Sequence, residues 1–267
     1  MNRRLASILI GVAVCSAALP ELGVDRALAA SSESTARSAV TTARAAAKTR
    51  VAPARASASA GTGALVASSL ALTSGLRPEV LQMALQAMTC AVRSGDIAQP
   101  PTLTVIDYSR PSVEPRLWVF DVTTGALLFK ELVAHGRNTG ENMATSFSDS
   151  MNSHQSSLGL FVARDTYVGS NGYSLRLDGL EPGFNARARE RAIVMHGAPY
   201  VDPSLAAKQG RIGRSWGCPA LREAVARDVI DTLRGGGVIF SYYPDTDWLA
   251  SSRFLNGCGA DASVATH

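Results

Sequence analysis

The chain has 267 residues, of which 46% are hydrophobic and 18% charged, a balance that suits one globular domain with additional segments. Beyond residue 30 no apolar run approaches the ~20 residues that a membrane-spanning helix requires. The formal net charge of +4 is carried by residues 30–75, where five basic residues oppose Glu33, so the basic pI is no argument for a nucleic-acid partner.

Residues 1–29 have the pattern of a secretory signal peptide, with an uncleaved membrane anchor as the alternative. Arg3 and Arg4 supply a positive start, Leu5 to Leu19 is an apolar stretch, and Ala27-Leu28-Ala29 offers a small-x-small cleavage site. Residues 30–75 are rich in Ala, Ser, Thr and Arg and hold almost no large apolar side chain before Leu65. Such a stretch cannot bury enough surface to offset the entropy of ordering, and it is expected to be a flexible linker. Residues 76–267 are then the folded domain.

Within that domain the spacing predicts a helix over Arg77–Arg93, with Pro78 in the first turn and an apolar face of Val80, Leu81, Ala84, Leu85, Met88 and Val92. After residue 100 the texture becomes β. Strands are expected at Leu103–Tyr108, Arg116–Asp121 and Ala126–Val133, the last two joined by a hairpin at Thr123-Thr124-Gly125. Further strands are expected at Leu158–Ala163, Tyr173–Leu177, Ala192–His196 and Val238–Tyr243. Leu221, Val225, Val229 and Leu233 recur at i+4 and predict a helix after Pro219, ended by Gly235-Gly236-Gly237. Short strands with Gly-rich turns favour a mixed, mainly β domain with a few peripheral helices.

Cysteine placement narrows the chemistry. Cys15 leaves with the signal, and Cys90, Cys218 and Cys258 remain, an odd number for an oxidising compartment. One disulfide plus one free thiol satisfies the count; for Cys90 and Cys258 the alternative is two free thiols. Cys218 stands in Ser215-Trp216-Gly217-Cys218-Pro219, directly before the predicted helix. A thiol at a helix start is biased toward thiolate, the nucleophilic form, although a buried structural cysteine fits the local sequence as well. Gly217 permits a tight turn and close backbone approach to a substrate. His196 ends an apolar strand and precedes Cys218 by a loop, where it serves either as a general base or as a core histidine.

The pair His196-Gly197 followed by Ser215-Trp216-Gly217-Cys218 resembles the catalytic signature of the murein L,D-transpeptidases, the YkuD-type family, in the branch with a Ser-Trp-Gly-Cys-Pro-Ala motif. The likeness runs from about Val80 to Tyr243. It includes Leu132-Val133-Ala134-His135-Gly136, Ser156-Ser157-Leu158-Gly159-Leu160-Phe161 and Gly172-Tyr173-Ser174-Leu175-Arg176-Leu177. The resemblance implies a β-sandwich or barrel catalytic domain in an exported protein of the periplasm or cell envelope. It implies no cofactor and no metal, and peptidoglycan stem peptides as partners.

The implied catalytic residues are Cys218 as nucleophile, His196 as base, and the backbone N–H groups near Gly217 and Cys218 as oxyanion donors. Cys218 would attack the third residue of a tetrapeptide stem, release the terminal D-Ala and pass the acyl group to a second stem as a 3–3 cross-link. Water as acceptor would make the protein an L,D-carboxypeptidase, and a non-catalytic wall-binding module of the same fold is the reading from another class. Trp216 stands where most members have a second histidine, and an indole can donate and pack but cannot act as a base. Arg214 and Arg211 are the expected carboxylate-binding residues. Ser215, Trp216, Tyr173 and His135 complete the expected substrate contacts. A zinc site from His135, His154 and His196 is the competing enzyme class, and nothing like His-Glu-x-x-His supports it.

Overall fold

The computed structural model describes residues 74–258. The expected signal peptide, most of the expected linker and the last nine residues lie outside them. Helix α1 spans Pro78–Arg93 and begins at the proline, with Glu79 in its first turn and Arg93 in its last, each complementing the helix dipole. Ordered burial already starts at Ser74, whose carbonyl accepts a bond from Trp118 Nε1 (3.1 Å).

Eight strands follow in one sheet: β1 Thr102–Asp107, β2 Leu117–Asp121, β3 Leu127–Glu131, β4 Gly159–Gly169, β5 Gly172–Gly179, β6 Val194–Gly197, β7 Ala220–Leu221 and β8 Val238–Tyr242. Their spatial order is β3-β2-β1-β8-β4-β5-β6-β7, with parallel pairing only at β1–β8 and β6–β7. The chain leaving β3 bridges to the far end of the sheet, Ala134 to Ala220 and Gly136 to Ser215, so the sheet is nearly closed. Arg222 grips Glu131 with two bonds (2.9 and 2.7 Å) and holds that closure from the side.

Strand alternation sorts the side chains between two cores. Leu103, Val105, Trp118, Phe120, Leu160 and Phe240 meet α1 and Trp248 in the first. Ile106, Leu117, Val119, Phe161 and Ile239 point the other way into the second. There they meet Leu175, Leu177, Met195 and the buried face of α3 (Glu223–Leu233), which is Ala226, Val229, Ile230 and Leu233. Strands β1 and β8 are buried along their whole length because helices or sheet cover both faces. Each large side chain so buried contributes roughly 1.5–3 kcal/mol. Cys218 belongs to the second core.

Three elements differ from the sequence expectation. Strand β4 runs past Ala163 to Gly169 through a bulge between Ala163 and Thr166, and a tight turn then returns it as β5. The bulge breaks the period-2 pattern, which is why the pattern stopped early. Helix α2 (Pro203–Gln209) occupies what read as loop, although Asp202 caps it, Pro203 opens it and Gly210 ends it at φ 72°. The helix after Pro219 begins only at Glu223, because Ala220–Leu221 pair with β6 as a strand. Leu221 thus belongs to the sheet rather than to the helical stripe. Short helices α4 (Thr246–Ser251) and α5 (Arg253–Asn256) follow β8.

A disulfide joins Cys90 in α1 to Cys258, closing a sequence separation of 168 residues. A loop of that length contributes roughly 5 kcal/mol in the chain-entropy picture. Reduction, or Cys258→Ser, is expected to lower the thermal midpoint by about 5–15 °C. Calorimetry with and without reductant measures this, and an unchanged midpoint would show that α1 is held by packing alone.

Candidate functional site

Cys218 is the single free cysteine among the described residues, and it is only 8% exposed. It lies in the turn that delivers the chain into β7, beside β6. Its sulfur accepts from the Val194 N–H (3.5 Å) and donates to the Ala192 carbonyl (3.8 Å). The expected setting at a helix start is therefore corrected, since β7 and Arg222 separate Cys218 from the first turn of α3. Helix-dipole activation does not operate here. Burial pushes the thiol up from its ordinary value, while the Val194 N–H, the Arg191 guanidinium and the residue's own N–H pull the other way.

His196 sits on β6, paired with Ser174 of β5 on one side and Ala220 of β7 on the other. Its Nδ1 lies 2.9 Å from the Gly197 carbonyl. A carbonyl only accepts, so Nδ1 carries the proton and Nε2 keeps its lone pair. Burial lowers the imidazole's pKa, opposed by that carbonyl, so the ring is neutral near pH 7. This is the tautomer a general base needs. Among the described residues no hydrogen bond joins this ring to the Cys218 thiol, whose proton points to Ala192 instead.

The turn is fixed by Ser215 and Gly217. Ser215 Oγ donates to the Cys218 carbonyl (2.6 Å) and accepts from the Gly217 N–H (3.1 Å). The serine is thus a clamp for the turn rather than an open substrate contact, and the Gly217 N–H is not free for an oxyanion. Gly217 has φ 120°, and a Cβ there would stand 2.7 Å from the Gln155 carbonyl oxygen. Gly217→Ala is expected to cost about 2–4 kcal/mol through strain and overpacking. Urea unfolding of the variant measures it, and a cost under about 0.5 kcal/mol would refute the close approach. Ser156, part of the family likeness but given no site role by the sequence, accepts from the Gly136 N–H (3.0 Å) and donates to the Gly217 carbonyl (3.2 Å).

Trp216 is 68% exposed, stacked on His154 with 4.9 Å between ring centroids, and Arg137 approaches its ring at 5.7 Å. Arg211 and Arg214 converge on one carboxylate, Glu141, at 2.9 and 2.7 Å. Arg214 also donates to the Arg137 and Gly140 carbonyls. Neither arginine is an unpaired cation awaiting a substrate; a stem carboxylate would have to displace Glu141.

Two residues expected to contact substrate are engaged elsewhere. His135 is 1% exposed, with Nδ1 accepting from Arg116 (2.8 Å) and Nε2 facing the Gly140 carbonyl (3.3 Å), so it is buried and bonded within the core. Tyr173 turns to α3, where its hydroxyl donates to Asp231 (2.6 Å) and Arg227 lies over its ring. No group of three or more His, Cys, Asp or Glu side chains among the described residues could hold a metal ion.

A family profile for the L,D-transpeptidase catalytic domain matches residues 72–242. This chain belongs to that family. As an L,D-transpeptidase-family domain it carries its cysteine and histidine on adjacent elements, β6 and the turn into β7. Among solved structures it is similar to an L,D-transpeptidase from Mycobacterium smegmatis, with 16% identity, TM-score 0.35, and coverage of 54% of this chain and 59% of that one. An L,D-transpeptidase from Stackebrandtia nassauensis gives 16% identity, TM-score 0.33, and coverage of 62% and 65%. This chain thus spans less than two thirds of the length of either. Similarity at this level adds nothing to the family assignment. A comparison with curated proteins gives no match.

Proposed function

We propose that the protein is an exported murein L,D-transpeptidase that transfers acyl groups on peptidoglycan tetrapeptide stems through a Cys218 thioester. The family supplies the transpeptidase-like role. The observation that carries the cysteine mechanism is that the one free thiol among the described residues bonds the backbone of the strand that holds a neutral imidazole. That imidazole's proton is locked on Nδ1 by the Gly197 carbonyl.

In this mechanism the Cys218 sulfur turns from Ala192 toward His196, whose Nε2 takes its proton. The sulfur attacks the carbonyl of the third stem residue, and the C–N bond to the terminal D-Ala breaks. The proton on Nε2 passes to the departing amine. A side-chain amine of a second stem then attacks the thioester, giving a new amide, the 3–3 cross-link, and its proton returns through His196 to sulfur. With the Gly217 N–H committed to Ser215, the Cys218 N–H serves as an oxyanion donor. Arg211 and Arg214 receive a stem carboxylate in exchange for Glu141.

Incubation of the purified protein with tetrapeptide muropeptides, followed by mass analysis, tests the reading. Cross-linked dimers with free D-Ala are expected. Tripeptides alone would make the protein a carboxypeptidase, and unchanged muropeptides would favour a wall-binding role. Export is tested separately by fractionating cells that express the full chain. Retention of residues 1–29 in a cytoplasmic fraction would refute it.

A further inference from the structure

We propose that Arg191 is a positioning residue that latches the 148–157 segment shut over the nucleophile and presents the cation facing the Cys218 sulfur. The proposal rests on Cys218 being the nucleophile. Arg191 lies in a stretch, Ala186–Ala192, whose neighbouring arginines form exposed ion pairs: Arg187 with Glu190 and Arg189 with Asp178. Its own side chain is only 3% exposed.

All of its terminal donors point into one segment. Nη1 donates to the Ser148 carbonyl (2.7 Å) and Ser157 Oγ (2.6 Å). Nη2 donates to Ser153 Oγ (3.0 Å) and the Gln155 carbonyl (2.7 Å). That same Gln155 carbonyl abuts Gly217, and Arg191 Nη2 stands 3.4 Å from where a Cβ at Gly217 would be. The guanidinium therefore bonds the segment and lies close to the turn that bears the sulfur.

Two further features identify a latch rather than a filler. Asn152 and His154 are held at φ 57° and 54°, a left-handed conformation uncommon outside glycine that Asn and His adopt more readily than most residues. His154 is also the residue on which Trp216 stacks. A buried guanidinium needs a counter-charge, and Asp149 supplies one at 3.7 Å. Asp149 spends its other oxygen on the Arg187 N–H (3.0 Å), and the oxygen facing Arg191 has no hydrogen bond. Arg191, Tyr108 and Tyr200 act on the sulfur, Asp149 and Arg187 act on Arg191, and His196 stands on the neighbouring strand β6. Burial pushes both tyrosines up to about 12, so they stay neutral through the range tested. A lysine would keep the charge at position 191 but cannot make four in-plane bonds.

The experiment uses the full chain, with iodoacetamide as the probe of Cys218 and hydrogen exchange as the probe of residues 148–157. Arg191→Lys and Arg191→Met are both expected to lose protection of that segment by at least about tenfold. Their alkylation midpoints separate the two roles. Arg191→Met should lie about one pH unit or more above Arg191→Lys, because only the charge distinguishes them. Asp149→Asn keeps an oxygen for Arg187 and should move the midpoint below that of the wild type.

Retained protection in Arg191→Lys overturns the latch. Coincident midpoints, or an unmoved midpoint in Asp149→Asn, overturn the charge role. If Arg191→Met does not fold, Arg191→Gln replaces it in the same comparison. A wild type that still releases D-Ala after complete alkylation of Cys218 overturns the nucleophile itself. That outcome is distinct, since it leaves the exchange result standing.

Discussion

Cys218→Ala is expected to lose acyl transfer by at least about 10³-fold while the protein stays folded. The sulfur packs in the second core and bonds the backbone of Ala192 and Val194. Its removal opens a small gap worth about 1 kcal/mol. Activity and stability therefore separate cleanly. Intact mass after incubation with a carbapenem is the direct measurement: the wild type should gain one adduct, and the variant none. An adduct of equal yield on Cys218→Ala would remove the cysteine mechanism. His196→Gln should fold and react with iodoacetamide, yet be slow in transfer, because the amide cannot carry the proton from sulfur to the leaving amine.

The second large effect is on stability, and its origin is the buried Arg116–His135 pair. Arg116 is fully buried and spends its donors on the Val133 carbonyl (3.0 and 2.8 Å), the Arg110 carbonyl (3.0 Å) and His135 Nδ1 (2.8 Å). Its guanidinium also lies over the Tyr108 ring at 5.1 Å. Burial, with the adjacent Arg116 charge, pushes His135 down to about 3. An unfolded histidine takes up its proton near 6.5. Between these values the unfolded chain binds more protons than the folded one, so stability rises with pH across that window. The contribution is fully present above about pH 6.5 and is lost as pH falls toward about 3. Urea unfolding at pH 7 and pH 4 should differ by about 3 kcal/mol from this group alone. His135→Gln keeps an acceptor for Arg116 and a donor for Gly140 but does not titrate. It should remove most of that difference, and an equal acid sensitivity in the variant would refute the assignment. Arg116→Leu leaves several acceptors unpaired and should cost about 3–5 kcal/mol at any pH.

The two arginines most visible beside the motif and the one most involved in the site are not the same. Arg211 and Arg214 stand close to Cys218 in sequence, yet both are tied to Glu141. Arg191 sits in a run that reads as a solvated charged surface, and nothing in its spacing marks it as buried. The same limit explains His135. Its strand-end position resembles that of His196, but what separates a core histidine from a base is the partner at Nδ1. For His135 that partner is Arg116, and for His196 it is the Gly197 carbonyl. Neither partner can be read from the chain.

What the sequence by itself determined is whatever depends on local periodicity and residue chemistry. Helix α1 with its proline start, seven of the eight strands, the mainly β class, the odd thiol and the His196–Cys218 signature all belong here. Strand β7 and the true start of α3 came only from tertiary structure, because a two-residue strand has no period and pairs only once β6 is beside it. The state of the sulfur was decided there as well. Its burial, its bonds to Ala192 and Val194 and the nearby Arg191 arise from segments far apart in the chain. Desolvation and Coulomb interaction depend on distance through space, and no spacing along the chain encodes that.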